Sequence, residues 1–377
     1  MLPFVRMVVS RFIKLNAINK KNMEEEVVLM KGNEAISHAA VRCGCDGYFG
    51  YPITPQSEVL ETLAELRPWE TTGMVVLQAE SEIAAINMVY GGAGSGKMVM
   101  TSSSSPGISL KQEGISYIAG AELPAVIVNM MRGGPGLGGI QPSQADYFMS
   151  TRGGGNGDYR HIVYAPATIQ EAVDMTMEAF EVADYYRMPV MVVGDGMIGQ
   201  MMEPVEFNPP AKRELEEKTW ASVGTKGLRK PNVINSLYLE AQELEDHNIR
   251  LEKKYEEIIE KEARWEDYKI EDADIILVAY GTTARIAKNA AEDLRKEGIK
   301  AGVIRPMTLW PFPNKAFENL NCKALLTVEM SMGQMVEDVK TAVEFKLPVH
   351  FVGRVGGMIP EPVMIVDKAR EIMGGVR

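Results

Sequence analysis

This chain has little cysteine, little histidine, no surplus of positive charge and no long apolar run. Three cysteines among 377 residues are too few for a disulfide framework. Cys43 and Cys45 form a C-x-C pair with only Cys322 far behind it. An iron–sulfur cluster calls for about four thiolates, and a structural zinc for about four Cys or His ligands in paired spacing. The four histidines, at 38, 161, 247 and 350, supply no such pairs, so no metal site is expected and the cysteines read as small buried apolar side chains in a reducing cytosol. With 40 Lys and Arg against 51 Asp and Glu, the net charge of -11 argues against broad nucleic-acid binding, which needs cations in excess. No run reaches the roughly 18 to 20 apolar residues that cross a bilayer. A cytoplasmic protein that handles small molecules is expected.

A hydrophobic fraction of 46% with 24% charge excludes a disordered or fibrous chain, and the length suits two or three α/β domains. The first 22 residues hold Arg6, Arg11, Lys14, Lys20 and Lys21 and no acid. They resemble a transit or amphipathic surface segment but lack the small-residue cleavage site of a secretory signal. Met23 and Met30 each open a more conventional start, and residues 1–29 are read as an N-terminal extension without a functional role.

From Met30 onward short apolar runs alternate with helical patterns, the signature of βαβ units on a parallel sheet. Strands are expected at 47–51, 74–77, 98–101, 125–129, 162–165 and 190–193, and helices at 57–66, 81–90, 108–119 and 169–183. These make one doubly wound domain over 30–207. Residues 208–233 are rich in Pro and charge and read as irregular. The Glu-, Lys- and Leu-dense stretch that follows reads as a solvated helical linker or hairpin, within a connection spanning 208–271. Alternation resumes at Asp274 and gives a second, smaller parallel-sheet α/β domain over 272–377.

Two phosphate-binding signatures fail on inspection. Gly91, Gly96 and Lys97 fit the P-loop pattern, but Met98 stands where a magnesium-binding hydroxyl belongs. The order helix, loop, strand is also the reverse of what lets loop amides converge on phosphate. Gly194-Asp195-Gly196 matches the start of the magnesium and diphosphate motif of thiamine diphosphate enzymes. No asparagine follows at the required distance, since Asn208 comes too early and Asn232 too late.

Three segments fall where open α/β sheets place ligands, beyond the carboxyl ends of strands. In GYPITPQSE, residues 50–58, Pro52 and Pro55 bracket Ile53 and Thr54, which would fix the Thr54 hydroxyl; Thr54 or Ser57 would equally serve as a helix cap. In LQAESEIAAINM, residues 77–88, Glu80 and Glu82 flank a helix start, where one would point into the crevice or both would simply stabilise the helix dipole. Residues 129–160 form a glycine-rich loop longer than ordinary connections, with Arg132 at its start suited to gripping a carboxylate by two donors.

Together GNEAI at 32–36, YPITP at 51–55, SEIAAIN at 81–87, TSSSSPGISLKQEGI at 101–115, AELPAVIVNMMRGGP at 121–135 and RPMTLWPFP at 305–313 closely resemble the α-type subunit of 2-oxoacid:ferredoxin oxidoreductases. The resemblance spans residues 30 to 377. It implies a thiamine diphosphate pyrimidine-binding domain followed by a transketolase C-terminal-like domain. It further implies a partner subunit that binds the diphosphate, Mg2+ and [4Fe-4S] clusters, together with γ-type and ferredoxin-like subunits, ferredoxin and coenzyme A. Glu82 is similar to the family glutamate that hydrogen-bonds the pyrimidine ring nitrogen and so favours the imino tautomer that generates the cofactor's nucleophilic carbon, with Glu80 the competing candidate. Thr54, in the turn Pro52, Ile53, Thr54, resembles the threonine that contacts the keto-acid head, and Arg132 the arginine that binds its carboxylate. The expected reaction is oxidative decarboxylation of a 2-oxo acid to acyl-CoA and CO2, with electrons passed to ferredoxin. No Lys or Arg lies between Arg132 and Arg152, which favours an apolar, branched-chain acid such as 2-oxoisovalerate. Pyruvate or 2-oxoglutarate as substrate, or a non-catalytic scaffold, are the alternatives.

Overall fold

The computed structural model describes residues 27–374, so the expectations for residues 1–22 lie outside the described residues. The elements run in order β1 (Val28–Lys31), α1 (Gly32–Arg42), β2 (Gly47–Gly50), α2 (Ser57–Leu66), α3 (Pro68–Thr71), β3 (Val75–Gln78), α4 (Glu82–Gly94), β4 (Val99–Ser103), α5 (Ser105–Gly120) and β5 (Ala125–Met131). They continue with α6 (Tyr147–Thr151), β6 (Ile162–Tyr164), α7 (Ile169–Tyr186), β7 (Pro189–Asp195), α8 (Gly196–Gln200), β8 (Met202–Val205), α9 (Ala241–Glu262) and β9 (Trp265–Tyr268). The last part holds β10 (Ile275–Val278), α10 (Gly281–Lys296), β11 (Ala301–Pro306), β12 (Thr308–Trp310), β13 (Ala324–Glu329), α11 (Met335–Ala342), β14 (Val349–Gly353) and α12 (Pro362–Ile372).

Two mostly parallel sheets carry the fold. The first has seven strands in the order β12-β6-β7-β5-β4-β2-β3, all parallel except β12. The second has five, β14-β13-β10-β11-β9, all parallel except β9. Central strands are apolar runs because helices cover both faces; β5 (AVIVNMM) and β7 (PVMVVGD) are buried at every position. Met130, Val192, Tyr280 and Leu325 belong to one continuous core, so the two sheets share packing rather than meeting as separate globules.

Three differences from the sequence reading follow from edge pairing. Val28 and Leu29, assigned to the N-terminal extension, pair with Val205 and Pro204 in a small antiparallel sheet. Trp265–Tyr268, assigned to the linker, is an edge strand of the second sheet, paired antiparallel with β11. Thr308–Trp310, assigned to the second domain, returns to the first sheet beside β6. Short edge strands such as WEDY and TLW are too brief to carry a readable period, and the pairing is decided by tertiary contact. The linker helix α9 is one helix of 22 residues with a buried stripe at His247, Leu251, Tyr255, Ile258 and Glu262, so it is packed on one side rather than solvated all round.

Arg305, in RPMTLWPFP, is buried and ties the layers electrostatically. Its guanidinium grips Glu171 of α7 with two bonds of 2.7 and 2.8 Å and Glu266 of β9 with one of 2.7 Å. Such a pair, fully hydrogen-bonded, is strongly destabilising to break from one side.

Candidate active site

The carboxyl ends of β2, β3, β4 and β5 lie side by side in the first sheet, and the loops that leave them form the candidate site. The GGAGSGK segment takes no part. Its glycines end α4, Gly96 turns at a φ of 80°, and Lys97 pairs with Asp46 at 3.0 Å. Asp195 is equally committed, since its buried carboxylate caps α8 by accepting from the Met197 and Ile198 amides at 2.8 and 3.3 Å.

The YPITP turn is held from below. Asn33 donates to the Pro55 oxygen at 2.7 Å, Gln200 to the same oxygen at 3.2 Å, and Gln56 to the Tyr51 oxygen at 3.1 Å. Gln56 in turn accepts from Ser102 at 2.5 Å, and Ser102 meets the Tyr48 hydroxyl at 2.7 Å. Pro52 and Ile53 are half-buried while Thr54 is exposed. The cap of α2 is Gln56, and its side chain makes no capping bond, so neither Thr54 nor Ser57 serves as the cap.

Arg132 joins this turn to the glycine-rich loop. Its guanidinium donates to the Thr54 main-chain oxygen at 2.9 Å and to the Leu137 oxygen at 3.1 Å, while its buried Nε has no partner. Ser105, at the start of α5, accepts from the Arg132 amide at 2.9 Å and donates to Asp146 at 2.6 Å. Asn129 donates to the same Asp146 oxygen at 3.0 Å. Burial pushes the Asp146 carboxyl up, against the pull of those two bonds and of the Arg132 charge.

Glu82 and Glu80 separate clearly. Glu80 is exposed, whereas Glu82 opens α4 and is buried. Ser81 caps the helix by accepting from the Ala84 amide at 3.2 Å, so Glu82 is free of that duty. A Cβ at Gly107 would lie 2.1 Å from Ser103 Oγ and 2.9 Å from a Glu82 oxygen, which brings α5 hard against the carboxylate. Ser103 Oγ itself is buried without a partner. A buried carboxylate at a helix N-terminus, beside an unpaired hydroxyl, fits a nitrogen heterocycle that can share a proton with it.

The long loop is not one open lid. Its longest exposed run is 134–141, with Leu137 85% and Ile140 56% exposed; Pro142, Ser143 and Gln144 are buried against the second layer. Gly138 at φ 53° is needed there, because a Cβ would fall 1.8 Å from the Gly133 oxygen. Gln144, Asp146 and Ser105 escaped the sequence reading, since single polar residues in loops carry no period. Among the described residues no helix is long and apolar enough to cross a membrane. Burial pushes the Cys43 thiol up to about 12, and Cys45 donates to the Gly47 oxygen at 3.4 Å, so both behave as protonated packing groups.

Comparison with known proteins gives the same lineage throughout. A family model described as pyruvate flavodoxin/ferredoxin oxidoreductase, thiamine diP-bdg, matches residues 38–267, and pyruvate:ferredoxin oxidoreductase core domain II matches 273–365. The ketoisovalerate oxidoreductase subunit VorB of Methanothermobacter marburgensis is 50% identical over 349 residues, 92% of this chain and 98% of its own. The 2-oxoglutarate synthase subunit KorA of Archaeoglobus fulgidus is 37% identical over 84% of this chain and 91% of its own. The 2-oxoglutarate:ferredoxin oxidoreductase from Magnetococcus marinus, solved with 2-oxoglutarate, coenzyme A and succinyl-CoA, superposes with a TM-score of 0.81 at 24% identity, over 93% of this chain and 66% of its own, a likeness of fold.

Proposed function

Since this chain belongs to the 2-oxoacid:ferredoxin oxidoreductase family, as a subunit carrying its thiamine diphosphate-binding domain, we propose that it serves oxidative decarboxylation of a branched-chain 2-oxo acid, 2-oxoisovalerate first among them. The products are acyl-CoA and CO2, with electrons passed to ferredoxin. The relatives named for ketoisovalerate support that substrate, at 50% and 49% identity, against 37% for the first of those named for 2-oxoglutarate. The loop supports it too. Arg152, which bounds the cation-free stretch, is engaged by Asp338 at 2.7 Å, and the exposed tip beside Arg132 offers Leu137 and Ile140.

Thiamine diphosphate, when bound, supplies the electron sink for loss of CO2. Glu82 would hold the pyrimidine ring nitrogen by a hydrogen bond, sharing one proton between its carboxyl oxygen and that nitrogen. Arg132 keeps donors for the substrate carboxylate beyond the two spent on Thr54 and Leu137, and Thr54 presents its hydroxyl from the turn braced by Pro52, Ile53 and Pro55. Residues 30–207 act as the pyrimidine-binding domain and 272–377 as the transketolase C-terminal-like domain, with 208–271 between. The diphosphate, Mg2+ and [4Fe-4S] clusters belong to a partner subunit, joined by γ-type and ferredoxin-like subunits. Val75, Leu77 and Ile83, exposed at the edge strand and at the start of α4, suit its docking beside Glu82.

The observation that carries this reading is the convergence, at adjacent strand ends, of the Arg132–Thr54 tie and a buried Glu82 with no capping role. The test is anaerobic purification of the complex and viologen reduction with coenzyme A and a panel of 2-oxo acids. Fastest reduction by branched-chain acids is expected. Fastest reduction by 2-oxoglutarate overturns the substrate assignment, and a chain that associates with no cluster-bearing partner overturns the division of labour.

A further inference from the structure

The exposed tip of the glycine-rich loop, 134–141, rests on a turn of the second domain. Beyond β14 the chain reads RVGGMIPE, residues 354–361, and bends at Gly356 and Gly357, whose φ angles are 68° and 91°. Positive φ at both central positions is what a type I′ turn needs and glycine supplies, and the Met358 amide closes the turn on the Val355 oxygen at 3.3 Å. The turn is fixed to its own sheet. The Arg354 amide donates to the Glu329 oxygen, at the end of β13, at 3.2 Å, and a Cβ at Gly353 would lie 2.7 Å from the Ser331 oxygen.

Both feet of the tip meet this turn. They are Gly133 and Gln141, joined where the Gly133 amide donates to the Gln141 oxygen at 3.0 Å, beside the bridge between Arg132 and Pro142. A Cβ at Gly133 would lie 3.5 Å from the Gly357 nitrogen and 3.6 Å from the Gly356 carbonyl carbon, so the two backbones pack closely. A Cβ at Gly357 would overlap the Cβ of Gln141, whereas one at Gly356 would meet nothing within 4 Å. Backbone conformation therefore asks for glycine at both positions, but a neighbour asks for it only at 357. Any shift of Gln141 reaches the site, because Gly133 follows Arg132 directly and the Arg132 fork holds the Leu137 oxygen at 3.1 Å. The turn also brings no free cation to the tip. VGGMIP has no ionisable side chain, and the Arg354 guanidinium lies 3.9 Å from the Glu361 carboxylate.

We propose that Gly357 is a positioning residue for the 2-oxo acid, the point at which the second domain sets the loop that carries Arg132, Leu137 and Ile140. The second domain then governs substrate affinity although none of the groups assigned to touch substrate belongs to it. The proposal rests on the reading of Arg132 given above. A small displacement suffices, since a misplacement of about 1 Å in a positioning group can cost on the order of 10²-fold.

The experiment uses the assembled complex carrying wild-type chain, G357A, G356A, Q141G, the pair Q141G/G357A, or R132K. It records kcat and KM for 2-oxoisovalerate by viologen reduction with coenzyme A, and unfolding temperature by calorimetry. G357A should raise KM by about tenfold while kcat falls less than about threefold, the pattern of lost ground-state binding. G356A carries the same left-handed strain without the overlap, and its KM should stay within about threefold of wild type. In the pair Q141G/G357A the overlap is relieved, so KM should return to that of Q141G alone, a coupling that strain at residue 357 cannot produce. A G357A complex with wild-type KM overturns the proposal. So does a pair as defective as G357A, whether the defect is in KM or in assembly, because backbone strain alone would then account for it. If R132K is impaired while G357A is not, only the Gly357 proposal fails; an R132K complex within about threefold of wild type overturns the reading of Arg132 and this proposal with it.

Discussion

The guanidinium of Arg132, at the end of β5, donates to the main-chain oxygen of Thr54, in the turn after β2, at 2.9 Å. The two positions are 78 residues apart, yet one planar fork couples both loops that are proposed to hold the substrate's keto-acid head. A second donor fixes the glycine-loop tip through Leu137 at 3.1 Å, so the orientation of this arginine and the shape of the loop are set together.

Replacing Arg132 by lysine keeps a charge and removes the fork. A lysine has three donors on one nitrogen and cannot reproduce the planar spread by which Nη1 reaches Thr54 and Nη2 reaches Leu137. We expect R132K to lose about 10²-fold in kcat/KM for the 2-oxo acid, with the loss in KM as well as kcat, measured by viologen reduction in the complex. An R132K complex within threefold of wild type would remove Arg132 from substrate binding.

Glu82 makes no capping bond, so E82Q leaves the fold intact. Unfolding temperature should stay within a couple of degrees of wild type while kcat falls by about 10²- to 10⁴-fold, the range for losing a positioned proton-sharing group. Loss of stability without loss of rate would mark Glu82 as a helix-dipole residue instead.

Lys111 gives a pH signature in stability that is independent of turnover. Its folded value of about 7 lies below its ordinary value of 10.5, so between those limits the unfolded chain holds a proton that the folded chain has shed. Stability of the wild-type chain therefore rises with pH across that window, and below it the buried ammonium is a standing cost. K111M lacks this dependence. Calorimetry of the full chain should find K111M more stable by a few kcal/mol near pH 6, with the difference shrinking as pH approaches 10. A difference that is flat with pH would show that the ammonium is not desolvated.

Regular elements were legible because each central strand is a short apolar run between helical stretches; α2 is observed as Ser57–Leu66, the expected bounds, and β5 as Ala125–Met131 where 125–129 was expected. The site loops were legible only as far as their unusual composition, with YPITP rigid and MMRGGP rich in glycine. What these loops bond to was hidden. Arg132 finds Thr54, and Ser105 finds Asp146, through main-chain geometry that no spacing announces. The same holds for TLW, whose three residues pair with β6 rather than with their own sequence neighbours. Lys111 was legible in retrospect, as a lysine framed by Gly107 and Gly114 at helical spacing.

Gln144 joins the two sheets, and its removal should uncouple them. The side-chain nitrogen donates to the Tyr280 oxygen at 2.9 Å, and the side-chain oxygen accepts from the Met330 amide at 2.9 Å and from Thr283 at 3.2 Å. All lie in buried surroundings, where an abandoned donor or acceptor costs about 1–3 kcal/mol. Q144A strands the Met330 amide, while the Tyr280 oxygen keeps the Thr283 hydroxyl at 2.8 Å, and a destabilisation of about 1–3 kcal/mol is expected in denaturant unfolding. The functional effect reaches further than the bond count, since Gln144 anchors the docked part of the loop whose exposed run, 134–141, starts two residues after Arg132. When that anchor is lost the tip gains freedom, and KM for the 2-oxo acid should rise more than kcat falls. A Q144A complex that loses stability but keeps the wild-type KM would show that the tip is held without Gln144, whose bonds to the second layer then contribute only to folding.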